Sequence, residues 1–175
     1  GLVCAIGASF RPQYARILGP IYAIAEGVVV GAVSRAYSIE YSGIVLQAVG
    51  ATLGVFVAML VMYRTGIIRV NDKFRRVVMS AMVGLLIFYG VSFLFNLLGA
   101  NITFFNDASL IGIGFSIFVA GLAAASLALD FDFIERGEKE GLPKQMEWFA
   151  ALGVVITLVW LYLEILRLLS KLRDN

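Results

Sequence analysis

Five stretches of this chain run with almost no charge. Residues 43–63, 77–106 and 108–129 carry none, while 17–34 and 148–166 carry one acid each, Glu26 and Glu164. A helix needs roughly 20 mostly apolar residues to cross the hydrocarbon layer of a bilayer. The pattern therefore predicts an all-α polytopic membrane protein. Complete spans are expected over 17–37, 43–63, 76–99, 108–131 and 147–169, in one transmembrane domain covering 1–175. The opening GLVCAIGASF is apolar but too short to cross. With no basic region before it and no initiator methionine, it does not read as a signal peptide. It is expected to be a partial span, the last half of a helix whose beginning is not in this sequence.

The charges between the runs alternate. Arg11 and Arg16 lie in 11–16, then Arg64, Arg69, Lys73, Arg75 and Arg76 in 64–76, then Arg136, Lys139 and Lys144 in 130–147. The intervening connections offer Arg35 alone in 35–42 and no cation in 99–107. Cytoplasmic loops carry the excess of lysine and arginine. Loops 11–16, 64–76 and 130–147 are thus expected in the cytoplasm, and strict alternation sends the C-terminus outside. Within the spans, Gly50 and Gly54 are four apart, a spacing that lets membrane helices approach closely.

Composition sharpens this picture. The chain of 175 residues is 61% hydrophobic and 15% charged, against about 45–50% and about 25% for soluble domains. Cys4 is the only cysteine and histidine is absent. An internal disulfide is therefore excluded, and so are the commonest metal ligand and the commonest general base. No phosphate-binding glycine loop, HExxH or GxSxG occurs. The chain is read as a non-enzyme with no cofactor. The basic residues sit at helix ends, where topology explains them, so nucleic acid is not an expected partner. The bilayer is, and other membrane proteins are possible partners.

Acids inside or beside the spans are the candidate chemistry, because a charge in the hydrocarbon layer costs at least about 2.5–3.5 kcal/mol. Glu26 lies mid-span and is expected among helices, in a functional or coupling role or paired with an arginine. Glu164 stands three residues before Arg167, so an in-helix ion pair competes with function. Asp130 and Asp132 end the run SLALDFDFI. On a helix they point about 200° apart, so one is expected to face the bundle and the other the headgroups. A carboxylate at the cytoplasmic mouth can hold a hard cation such as Ca²⁺, with Asp130 the first candidate, or respond to pH. A solvated helix end beside Glu135 and Arg136 is the plainer reading.

Three stretches, GIVLQAVGATLGVFVAML (43–60), SLALDFDFI (126–134) and LVWLYLEILRLLS (158–170), resemble the Bax inhibitor-1 family, in particular its bacterial branch related to the YccA proteins. The resemblance implies a seven-helix bundle with the last helix central. This chain would supply the end of helix 2 and helices 3–7. It also implies a pH-sensitive calcium leak in a bacterial cytoplasmic membrane, gated by two aspartates and an arginine. Carried over, the sixth-helix aspartate is Asp130, with Asp132 the alternative, and the arginine is Arg11. The second aspartate is replaced by Thr157, unless a shifted register brings in Glu164. An arginine on Asp130 would hold the mouth shut, and Asp130→Asn would then leave flux high and flat with pH. The competing expectation is a non-catalytic regulator that binds a membrane protease or another membrane complex.

Overall fold

The computed structural model describes residues 7–8, 10–98 and 109–174. A 3-10 turn at Pro12–Tyr14 leads into α1 (Ala15–Glu40), followed by α2 (Ile44–Arg64), α3 (Asp72–Leu97), α4 (Leu110–Lys139) and α5 (Gln145–Arg173). All five are long and apolar enough to cross a bilayer. The expected partial span at 1–10 falls mainly on residues outside the described ones, and the connection 99–107 lies wholly outside them.

Helix ends are set by local chemistry. Gly43, before α2, and Gly66, after it, both adopt φ +74, a left-handed backbone that glycine enters without a Cβ penalty. Asn71 caps α3 by accepting from the Phe74 amide at 2.7 Å, and Ser109 caps α4 by accepting from Gly112 at 3.1 Å; such caps satisfy amides that the first turn leaves without partners. At 1.5 Å per residue, α4 and α5 are roughly 45 Å long, against about 30 Å of hydrocarbon. Consequently α4 continues past the expected end at 131 through Glu135, Arg136 and Lys139. Charge marks where the membrane stops, not where the helix stops, because Glu, Arg and Lys are good helix formers.

The helices are unequal. Buried residues make up 44% of the apolar stretch of α4 and 39% of that of α5, but only 6% of that of α1. α5 packs on α1, α2 and α4, whereas α3 packs on α4. The main core joins α2, α4 and α5 through Ile44, Ala48, Ala123, Leu127, Leu161 and Leu166. A second cluster joins α3 to α4 through Val78, Leu85, Val119 and Leu122. The opposite faces carry exposed Leu46, Leu86 and Ile111. That much apolar surface fits lipid rather than water.

Gly50 and Gly54 do not make the expected close approach. A Cβ built at either would find nothing within 4 Å among the described residues. Both face outward, because α2 turns Ile44, Ala48, Thr52 and Met59 inward instead.

Candidate functional site

At the end of the bundle that carries the basic loops, α3, α4 and α5 enclose a cavity of about 570 Å³. Its wall includes Arg75 from α3, Ser126, Asp130, Arg136 and Glu140 from α4, and Gly153 and Thr157 from α5. Asp130 is its most unusual group. The Thr157 hydroxyl donates a hydrogen bond to the Asp130 carboxylate. Gly153 leaves the room for this, since a Cβ there would sit 3.4 Å from Asp130 Oδ1. Asp130 Oδ2 is buried with no hydrogen-bond partner among the described residues. A buried polar atom left unpaired costs about 1–3 kcal/mol, more when charged, so native folds rarely keep one without use.

Asp132 has the opposite surroundings. Its Oδ2 lies 2.7 Å from Arg75 Nη2 and 2.9 Å from Arg136 Nε. Asp132 thus ties the start of α3 to the end of α4. One turn on, Glu135 accepts from the Tyr63 hydroxyl at 2.5 Å and pairs with Lys139. This joins α2 to the same end of α4.

The other end of the bundle has its own polar cluster. Glu164 is 4% exposed and lies 3.0 Å from Arg167. Trp160 also donates a hydrogen bond to it. Lys171, buried as well, donates to the Gly112 carbonyl at 3.1 Å and the Ser116 hydroxyl at 2.9 Å. At the surface, Arg173 reaches the Ser42 carbonyl and Gln47. The Tyr41 hydroxyl donates to Asp174 at 2.6 Å, and this bond pushes the phenol up to about 12.

A family model described as Bax inhibitor 1 like matches residues 1–174. The chain belongs to that family. No curated protein and no solved structure gives a significant match. The central place of α5 is the arrangement that the resemblance implies for the last helix of a Bax inhibitor-1 bundle.

Of the residues singled out in the sequence, the structure brings Asp130 and Thr157 together and places Asp132 beside them, turned to α3. Glu164 is paired within its own helix, more than two turns of α5 from Thr157. Glu26 is half-exposed and makes no hydrogen bond or ion pair among the described residues. It does not line the cavity. Arg11 is exposed, and the same is true of it.

Sequence reasoning missed Arg75, Gly153, Ser126 and Lys171. Arg75 was absorbed into the count of loop cations. Gly153 and Ser126 look like ordinary small residues of a membrane helix. Their one shared signal is spacing: Gly153 and Thr157 fall one turn apart on α5, as Ser126 and Asp130 do on α4.

Proposed function

We propose that this protein is a pH-sensitive leak for cations, calcium among them, in the bacterial cytoplasmic membrane, and that the conformation described is closed. The observation that carries this is the unpartnered, buried oxygen of Asp130 in a cavity at the basic end. The resemblance of the surrounding stretches to a leak-forming family supports it.

The route in this reading is the seam between α4 and α5. Ser116, Val119, Ala123, Ser126 and Asp130 follow one another at three- and four-residue steps along one face of α4. Polar groups stand at both ends of that face. Val119 and Ala123, in the middle, are 0% exposed, so an ion must wait for α4 and α5 to part. Asp130 offers a passing hard cation an oxygen ligand. Its charge acts in the field of Arg75, Arg136 and Glu140, which line the same cavity, and of Asp132, which holds both arginines. Removing the Asp130 charge alters which arrangement of the mouth is populated.

Calcium flux into dye-loaded liposomes containing purified protein, measured across pH 5–8, tests this. The expected result is flux that varies with pH in the wild type and loses that variation in Asp130→Asn, while Asp132→Asn keeps it. Absence of flux at every pH, in protein shown to be folded, overturns the leak. It would leave the second reading, a regulator that docks on a membrane complex.

A further inference from the structure

Lys171 is the least expected side chain in the molecule. Lysine is rarely buried, and near a membrane surface its long stem normally carries the ammonium out to the headgroups. Lys171 lies in the last turn of α5, where reaching outward would be easy, yet it is 4% exposed and turns inward. Its ammonium donates to the Gly112 carbonyl and the Ser116 hydroxyl on α4. Glu164 stands two turns earlier on the same face of α5, and its carboxylate interacts electrostatically with that ammonium. A carbonyl, a hydroxyl and a carboxylate are the donors that hard cations take. Ser116 also begins the α4 face that ends at Asp130.

We infer that Gly112, Ser116 and Glu164 form an outer cation site in the α4–α5 seam, and that the Lys171 ammonium is its tethered occupant. The ammonium fills the place of a passing ion, and its charge repels the next one. Conduction then requires Lys171 to withdraw. Arg167 holds Glu164 in position through the 3.0 Å pair and leaves the net charge around the site positive, which adds to the block. The inference rests on the cation-leak reading and deepens it.

The experiment uses calcium flux in liposomes at a pH where the wild type leaks measurably. Lys171→Met keeps the packing of the stem and removes the charge, so flux should rise several-fold, whereas Lys171→Arg should remain near wild type. A second series places Lys171→Cys in a Cys4→Ser background. Reaction of its thiolate with an aminoethyl methanethiosulfonate forms a mixed disulfide, releases methanesulfinate and returns an ammonium to the site. Flux should fall again. The sulfonatoethyl reagent, of similar bulk but negative, should leave it high.

Equal suppression by both reagents would mean that bulk rather than charge closes the seam, and would overturn the inference. Wild-type flux that neither Lys171→Met nor Lys171→Cys changes would overturn the inference alone. No flux from wild type, Asp130→Asn or the Lys171 variants would overturn the leak itself, and the inference with it. If the variants do not fold, millimolar calcium during purification should refill the vacated site and recover monodisperse protein; failure to recover it also counts against the site.

Discussion

Asp130 and Asp132 differ by two positions on one helix, and their surroundings are opposite. Asp132 holds two guanidiniums within 2.9 Å. Asp130 has one hydroxyl donor and a bare oxygen beside a cavity. The two side chains leave α4 about 200° apart, so one meets α3 and the other meets α5. An acid saturated with partners is a strut between helices. An acid with a spare, dry oxygen is free to exchange partners, and this is what a gate requires.

If that contrast is real, the two aspartates should separate in stability measurements. Asp132→Ala leaves Arg75 and Arg136 facing each other without a counter-charge. Breaking a fully buried pair costs roughly 3–5 kcal/mol, and screening of the two half-exposed guanidiniums reduces this to about 2 kcal/mol. Thermal melts in detergent should show that loss. In the same melts Thr157→Val, which removes the single donor to Asp130, should cost about 1 kcal/mol. Asp130→Asn should fall within about 1 kcal/mol of wild type, in either direction, because no strong partner is lost. A drop as large as that of Asp132→Ala would put both acids in the same class and dissolve the comparison.

Gly153→Ala sharpens the contrast from the other helix. The new Cβ meets Asp130 Oδ1 at 3.4 Å, an ordinary contact, and alanine is the better helix former by up to about 1 kcal/mol. Melting should therefore hold or rise slightly, while the pH response of flux shifts, because the methyl group crowds the carboxylate. The same substitution at Gly50 or Gly54 should leave flux unchanged.

The smallest effect is expected at the far surface. Tyr41 is held as a neutral donor to Asp174, its phenol moved from 10.0 to about 12. The bond therefore contributes below about pH 10 and is lost as pH rises through about 12. Tyr41→Phe should remove one late-titrating phenol from the absorbance titration and barely move the melt at pH 7, since the pair is exposed.

The bundle was largely legible because apolar runs are long and a bilayer admits little else. The alternation of basic loops likewise indicates which helix ends lie together. Rotation of each helix about its axis was not legible. That rotation makes Thr157 and Gly153 neighbours of Asp130, turns Asp132 to Arg75 rather than to headgroups, and points Gly50 and Gly54 outward. In an apolar helix, lipid-facing and helix-facing sides have nearly the same hydropathy, so the sequence carries only a faint record of it. Lys171 was hidden by its position. A lysine at a helix end ordinarily reads as a topology marker.

The central place of α5 has a consequence for biogenesis. Of the five helices it is the last to leave the ribosome, yet α1, α2 and α4 all pack against it. Until α5 arrives, α1 to α4 must wait in the bilayer with their inner faces covered by lipid, and Asp130 has no Thr157. α5 also brings Glu164 and Lys171 into the membrane before Ser116 and Gly112 can receive the lysine. Assembly of this bundle is thus a late, single event, so a chain stopped before Gln145 should leave four inserted helices and no bundle.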